Sequence, residues 1–232
     1  MTLSIDLEAW RMFLFTVLSC RCPVTLETEQ AWFGEYFRRV EAGEDRAGLA
    51  ALLAAADRNP ARTPLHNLFD LCSYSREDPS DFNVSPGDVL RCFGSKFHYD
   101  GVAAGLAGQE TRDAPAYLVC HLLTPVKAAR PTGRSGEAEF RFEGRRVVMK
   151  NVFFPPVLDL GGEETLAVHM GTVLGVLSPA QALMVTRHLA LIPGFASLVG
   201  AAGTVDFRDF QPLGDHRAEV EARFRRHFTW PD

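Results

Sequence analysis

The sequence lacks the short motifs that mark the commonest enzyme active sites. It contains no Gly-x-x-x-x-Gly-Lys-Ser/Thr loop for phosphates, no Gly-x-Gly-x-x-Gly for dinucleotides and no Gly-x-Ser-x-Gly around a nucleophilic serine. Neither His-Glu-x-x-His nor Cys-x-x-Cys occurs, so the usual signatures of metalloproteases, zinc ribbons and thioredoxin-like proteins are missing. These absences exclude motif-bearing families, and they leave open a site assembled from residues far apart in the chain.

Excess positive charge is also missing. The 232 residues carry a formal net charge of −5, so no overall field attracts the chain to nucleic acid or to anionic membranes. The one arginine-rich segment, residues 217–226, is diluted by Glu219 and Glu221. We therefore expect neither a nucleic acid nor a membrane as partner.

A disulfide framework is not indicated by the cysteines. Five are scattered along the chain: Cys20, Cys22, Cys72, Cys92 and Cys120. An odd, scattered set in a chain of this length is typical of buried thiols, which pack as small hydrophobic side chains. This usage predicts a reducing compartment and a cytoplasmic location.

A long hydrophobic run is absent as well. The apolar residues 12–20 are too few to span a bilayer, and Asp6 and Glu8 precede them where a secretion signal carries positive charge. The apolar positions around this run follow helical spacing: Leu7, Trp10, Leu14 and Val17. We therefore expect an amphipathic first helix.

The periodicity of the hydrophobic residues changes twice along the chain. Helical spacing prevails over residues 1–95, strand-like patterns over 115–177 and helical spacing again over 178–232. The 47% hydrophobic content is ample for one core, and neither an internal repeat nor a long linker divides the chain. The sequence thus predicts a single globular α+β domain over residues 1–232. Its helical N-terminal portion packs on a small, mainly antiparallel sheet, and helices follow at the C-terminal end.

Prolines and serines mark the expected element boundaries. Ser85-Pro86 and Ser178-Pro179 each place a capping side chain before a proline at the first helical position, which predicts two helix starts. Residues 117–123 form a nearly continuous apolar run between Pro115 and Pro125, and this run predicts a buried strand. On a strand, the neighbouring side chains of Cys120 and His121 would point to opposite faces and could not form a dyad.

Residues 139–150 alternate charge and apolarity on both sides of a glycine, which predicts a β-hairpin. A type II′ turn at Gly144 and Arg145 sets opposite charges against each other on the solvent face and places the aromatic rings inward. A turn one residue earlier would set Arg141 against Arg146. We therefore predict the type II′ register and interpret the charges as a solvated face.

One stretch has the composition of a metal site. His98 and Asp100 would share a face if they lay on a strand, and with His169 they would form the two-histidine, one-carboxylate face that binds Fe(II). At these three positions the pattern resembles the 2-oxoglutarate-dependent oxygenases. That family carries a basic residue soon after its distal histidine, whereas here the first arginine after His169 is Arg187, on a predicted helix. The alternative is a tight turn at Asp100-Gly101, with His98 as an ordinary polar residue.

Aromatic side chains are abundant near both ends of the chain. The first two predicted helices carry rings on more than one side, and two rings lie next to the C-terminus. Such helices are either central in the core or covered by another molecule. The second interpretation gives these candidate partner-binding residues: Trp32, Tyr36, Phe228 and Trp230.

Two functional hypotheses follow from these observations. The first is a non-catalytic accessory or regulatory protein, without a cofactor, that acts through contact with another protein or through self-association. The alternative is a metal-dependent enzyme of the non-haem iron type, with Fe(II) at His98, Asp100 and His169. The missing motifs and the surplus of aromatic residues favour the first.

Overall fold

A computed structural model of the chain describes residues 3–20, 39, 42, 82–106, 113–128, 133–156, 158, 160, 164–210 and 213–227. The helices of this part are α1 (Leu7–Ser19), α2 (Pro86–Phe93), α3 (Lys96–Leu106), α4 (Ala114–His121), α5 (Pro179–Leu189), α6 (Phe195–Ala202) and α7 (His216–His227). Its strands are β1 (Leu3–Ile5), β2 (Phe82–Val84), β3 (Thr124–Ala128), β4 (Ser135–Phe142), β5 (Arg145–Phe153), β6 (Thr165–His169), β7 (Thr172–Leu177) and β8 (Thr204–Asp206). The protein is α+β, as the sequence predicts.

Six of the strands form one mixed sheet in the order β4-β3-β6-β7-β5-β8, and β4 also pairs with β5. The pairs β3–β4, β3–β6, β4–β5 and β6–β7 are antiparallel, whereas β5 runs parallel to β7 and β8. Strand β5 changes neighbour along one edge, because it pairs with β8 up to Lys150 and with β7 at Phe153. Between them Asn151 has a φ of 57°, a left-handed conformation that asparagine tolerates. The sheet is therefore mainly antiparallel. Because β4 pairs with both β3 and β5, the five strands from β3 to β7 form a closed ring of paired strands.

The β4–β5 hairpin forms as predicted, but the predicted turn is wrong. The turn is centred on Glu143 and Gly144, whose φ angles of 47° and 74° are those of a type I′ turn. This turn matches the right-handed twist of the strands, and it sets Arg141 opposite Arg146. Glu139 offsets the repulsion, since it accepts a hydrogen bond from Arg141 Nε and lies 3.6 Å from Arg146 Nη1.

Helix α1 lies in the centre of the core and packs against β7, α2 and α7. Its aromatic residues Trp10, Phe13 and Phe15 are all at most 2% exposed. The ring of Phe15 lies 5.0 Å from that of Phe224, which in turn meets Phe153 edge-on at 4.9 Å. The rings of α1 are therefore covered by this chain's own core, where each contributes about 1.5–3 kcal/mol through burial.

Two helices begin where the sequence predicts. The hydroxyl groups of Ser85 and Ser178 accept hydrogen bonds from the backbone N–H of Asp88 and Gln181, whose side chains accept from the two serine N–H groups in return. These reciprocal bonds satisfy N–H groups that a helix leaves unpaired at its start. Among the helices of the described residues, none has the length and apolar character needed to cross a membrane.

The arginines of α7 pair within the helix itself. Arg217 Nη1 donates to Glu221 at 2.6 Å, Arg225 Nη2 donates to the same carboxylate at 2.9 Å, and Arg223 Nη2 donates to Glu219. The guanidinium of Arg217 also lies 4.3 Å from the centre of the Phe153 ring. Arg217 therefore also links α7 to strand β5 of the sheet.

Candidate metal centre

Three histidines from separate elements meet in the interior of the protein. His98 lies in the first turn of α3, His121 is the last residue of α4 and His169 is the last residue of β6. Their ring centres are 5.2–6.1 Å apart, and one ring nitrogen of each lies within 4.8 Å of the other two. His121 and His169 are 3% and 0% exposed, and His98 is half-buried. We call these three residues the histidine cluster.

The turn after β6 fixes the position of His169. Met170 and Gly171 have φ angles of 45° and 69°, which makes a two-residue type I′ turn between β6 and β7. A Cβ on Gly171 would lie 2.5 Å from the ring of Phe207, so only glycine fits there. Met170 is held on both sides, because its N–H donates to the carbonyl of Cys120 at 2.7 Å and its carbonyl accepts from Nε2 of His216 at 3.0 Å.

The position of His121 depends on α4, where the sequence-based prediction of a buried strand over residues 117–123 is wrong. Pro115 lies in the first turn of a helix, a position that its ring favours, instead of bounding a strand. The Tyr117 ring, one turn earlier, lies 5.1 Å from that of His121. As the last residue of the helix, His121 projects toward the end of β6.

His98 is placed by the short connection between α2 and α3. Its backbone N–H donates to Ser95 Oγ at 3.3 Å, and that hydroxyl donates to the carbonyl of Cys92 at 2.9 Å. The ring of Phe93 meets His98 edge-on at 5.1 Å and His169 edge-on at 5.9 Å. One phenylalanine thus forms an apolar wall beside two members of the histidine cluster.

Two residues at the C-terminal end of α1 each contact one ring nitrogen of the cluster. Ser19 Oγ lies 2.9 Å from Nδ1 of His169, and Cys20 Sγ lies 3.0 Å from Nε2 of His121. Both α1 residues are buried. Nε2 of His98 and Nε2 of His169 are buried as well, and neither has a hydrogen-bond partner of normal geometry among the described residues.

The surroundings of the cluster favour the neutral form of two of its rings, those of His98 and His169. Burial lowers the pKa of His98 from 6.5 to about 3, with a further contribution from the neighbouring His121. Burial also lowers the pKa of His169 well below its ordinary value, and the other histidines act in the same direction. Among the described residues, no carboxylate belongs to the cluster. Neutral imidazole is the form that binds metal ions.

Two of the three residues of the predicted iron site meet, and the third lies elsewhere. His98 and His169 both belong to the cluster, whereas Asp100 is exposed and forms an ion pair with Lys96. The stretch is the helix α3 instead of the strand that would put His98 and Asp100 on one face. Residues two apart on a helix point in widely different directions, so Asp100 faces solvent.

Sequence reasoning missed His121, Ser19 and Cys20. The predicted strand separated His121 from Cys120, and the pairing with Cys20 joins residues 101 positions apart. Cys120 itself is a buried thiol whose pKa is raised to about 12 by burial, so it is unreactive. In the local sequence, only a helix predicted over residues 114–121 could have indicated that His121 lies at the end of an element and points into the protein.

The candidate partner-binding residues Trp32, Tyr36, Phe228 and Trp230 all lie outside the described residues. Comparison of the chain with protein-family models, with curated proteins and with solved structures found no match. The histidine cluster is therefore the feature of the described residues that points to a function.

Proposed function

We propose that this protein is a metal-dependent enzyme that binds one Zn²⁺ ion through His98, His121 and His169 and uses it to activate water. The observation that carries the proposal is the convergence of three imidazole nitrogens from three separate elements within 4.8 Å. Polar atoms in a protein interior are almost always hydrogen-bonded. Among the described residues, neither Nε2 of His98 nor Nε2 of His169 has such a bond of normal geometry, although both atoms are buried, and an imidazole nitrogen of this kind is suited to bind a metal ion.

The spacing of the nitrogens suits an ion after a small adjustment. In a tetrahedral zinc site with Zn–N bonds of about 2.0–2.1 Å, the donor nitrogens lie about 3.4 Å apart. The cluster has its donor atoms within 4.8 Å, so the rings must move closer together before all three nitrogens reach bonding distance. His98 is the ring most able to move, because it is only half-buried and α3 has no fully buried residue.

The donor set favours zinc over iron, calcium and magnesium. Imidazole is a preferred ligand of Zn²⁺, while Mg²⁺ and Ca²⁺ require oxygen ligands. The iron face expected from the sequence needs a carboxylate, and Asp100 is engaged with Lys96 at the surface. Three imidazole donors without a carboxylate therefore support a zinc centre better than the Fe(II) centre.

Three protein ligands also suggest the chemistry. Structural zinc sites are normally closed by four protein ligands, whereas catalytic sites keep one position for water or substrate. A zinc ion bound by three imidazoles lowers the pKa of a bound water to about 7 and so supplies hydroxide at neutral pH. A hydrolytic or hydration reaction is the class that such a centre would perform.

Metal analysis of protein purified without chelator tests the proposal. We expect close to one zinc ion per chain in the wild type, and an affinity at least about 100-fold weaker in His98→Ala, because even outer-shell changes cost 10- to 100-fold. His188→Ala on α5 is the matched control, since His188 is also half-buried but lies outside the cluster. Zinc-dependent hydrolysis of p-nitrophenyl acetate that is lost in His98→Ala would support water activation.

Two results would contradict the proposal. The first is a wild type that binds no zinc, iron, nickel or copper with an affinity above that of the His98→Ala variant. The second is zinc binding without any zinc-dependent hydrolysis, which would reduce the centre to a structural one. Iron in place of zinc would restore the sequence-based alternative and would require a carboxylate ligand from elsewhere in the chain.

The accessory-protein hypothesis is the competing proposal. It places the chain in the cytoplasm and gives it a protein partner or a second copy of itself as partner. The aromatic residues of the first helix no longer support it, because Trp10, Phe13 and Phe15 are buried in the core. A size measurement of the protein, together with a pull-down that compares the wild type with variants of Trp32 and Tyr36, would test whether these residues bind a partner.

A further inference from the structure

The last turn of α1 places two polar side chains, one after the other, against two members of the histidine cluster. Ser19 Oγ lies 2.9 Å from Nδ1 of His169, and Cys20 Sγ lies 3.0 Å from Nε2 of His121. Ser19 is 0% exposed and Cys20 is 6% exposed, so water does not compete for either contact. In each case the side chain contacts one nitrogen of the imidazole ring, and the second nitrogen of that ring is not part of the contact.

The direction of the Ser19 hydrogen bond can be deduced. The Ser19 hydroxyl also lies 2.8 Å from the carbonyl oxygen of Thr16, which can only accept. The single hydroxyl proton is therefore donated to Thr16, and Ser19 Oγ accepts from Nδ1–H of His169. A neutral imidazole carries one proton, so Nε2 of His169 holds the lone pair, and this buried atom has no hydrogen-bond partner of normal geometry among the described residues.

The contact with Cys20 likewise distinguishes the two ring nitrogens of His121. Its Nε2 is engaged by the sulfur of Cys20, so Nδ1 is the nitrogen that can bind an ion while the sulfur contact is kept. In that arrangement Nε2–H donates to Sγ, because a metal-bound imidazole keeps its proton on the other nitrogen. Metal-binding histidines generally donate their second N–H to a nearby acceptor, which fixes the tautomer and the ring orientation.

The end of α1 is itself held in place. Nη1 of Arg223, on α7, donates to the carbonyl of Cys20 at 2.7 Å and to that of Leu18 at 3.3 Å. The N–H of Cys20 donates to the carbonyls of Thr16 and Val17 at 3.1 and 3.2 Å. A support for a metal ligand is useful only if it is rigid, and these bonds make the Ser19-Cys20 pair rigid.

We propose that Ser19 and Cys20 are positioning residues of the metal centre, which direct Nε2 of His169 and Nδ1 of His121 toward the ion. The inference rests on the proposed metal-binding function and assigns each ring the nitrogen that it uses. Without the two supports, the rings would sample both tautomers and more orientations, and the ion would bind more weakly.

The tautomers can be measured directly in the zinc-free protein. Long-range ¹H–¹⁵N correlation spectra distinguish an imidazole protonated at Nδ1 from one protonated at Nε2. We expect the Nδ1–H form for His169 in the wild type, a mixture of forms in Ser19→Ala and recovery of the Nδ1–H form in Ser19→Thr. A wild-type His169 protonated at Nε2 would overturn the inference regardless of how the variants fold.

Zinc affinity provides the second readout. We expect Ser19→Ala and Cys20→Ala to bind zinc about 10- to 100-fold more weakly than the wild type, and Cys20→Ser to recover most of the loss. Thr186→Ala is the matched control, since it also removes a side-chain hydroxyl that donates to a backbone carbonyl, but on α5 and outside these contacts. Unchanged zinc affinity in Ser19→Ala and Cys20→Ala would overturn the inference and leave the proposed zinc centre standing. A wild type that binds no zinc would overturn both.

Discussion

The hydroxyl oxygen of Ser19 lies 2.9 Å from Nδ1 of His169, although 150 residues separate them in the sequence. The contact joins the end of the first helix to the end of β6, close to the turn that leads into β7. Cys20 makes the corresponding link to the end of α4 through His121. The proposed zinc centre thus joins α1, α3, α4 and β6. Zinc binding and the stability of the fold are therefore expected to be coupled.

Zinc is expected to stabilise the folded protein. The three ligands are 23 and 48 positions apart in sequence, so the unfolded chain offers no comparable site. At a free zinc concentration 100 times the dissociation constant, the free energy of unfolding rises by about 2.7 kcal/mol. Thermal unfolding with and without zinc measures this shift. His98→Ala should unfold at a temperature independent of zinc, and an equal shift in that variant would place the ion elsewhere.

The zinc-free protein is expected to lose stability as the pH falls below 6.5. The pKa of His98 drops from 6.5 to about 3 on folding, and that of His169 is also lowered, so the unfolded chain binds more protons in this interval. The stabilisation is complete above pH 6.5 and is lost progressively as the pH falls toward 3. Urea unfolding at pH 8, 6 and 5 measures it, and His98→Gln should flatten the profile. Equal stability at pH 8 and pH 5 would contradict the lowered pKa values of His98 and His169.

Gly171→Ala is expected to destabilise the protein by about 2–4 kcal/mol, since it combines a left-handed backbone with an overlap on a buried ring. Its added Cβ would lie 2.5 Å from Phe207, whereas Gly144, with a φ of 74°, has nothing within 4 Å of the added atom. Gly144→Ala therefore measures the backbone cost alone. The difference between the two variants in urea unfolding isolates the overlap, and equal effects would show that Phe207 moves aside freely.

Arg223→Ala is expected to weaken zinc binding as well as stability. It removes donors to the carbonyls of Leu18 and Cys20, and such charge-assisted bonds are each worth about 1.5–3 kcal/mol. Arg225→Ala is the control, because Arg225 pairs with Glu221 at the surface and contributes only about 0.3–0.5 kcal/mol. Calorimetric titration with zinc compares the two, and equal affinities would show that the end of α1 needs no support from α7.

The fold could be predicted largely because its signals are local. The helix starts at Ser85 and Ser178 depend on side chains within one turn, and the alternation over residues 139–150 depends on neighbours in one hairpin. The predicted register of that hairpin is wrong because one carboxylate, that of Glu139, offsets the repulsion between the two facing arginines. Matching charges only between directly opposite residues does not include this contact. Helix α4 differs from the predicted strand because a short, nearly continuous apolar run between prolines, such as residues 117–123, suits either element.

The site could be predicted only in part, because its contacts are tertiary. His98 and His169 were identified from residue type, whereas Asp100 followed from a strand that is in fact the helix α3. His121 was not identified because its helix, α4, was predicted as a strand. The supports from the end of α1 span more than 100 positions, and no local pattern encodes them.

A crystal structure of the zinc-loaded protein, with diffraction data collected on both sides of the zinc absorption edge, tests the proposed centre most decisively. We expect one anomalous peak among the rings of His98, His121 and His169, bonded to one nitrogen of each. A peak bound by other residues, or no peak among these three rings in crystals that contain zinc, would contradict it.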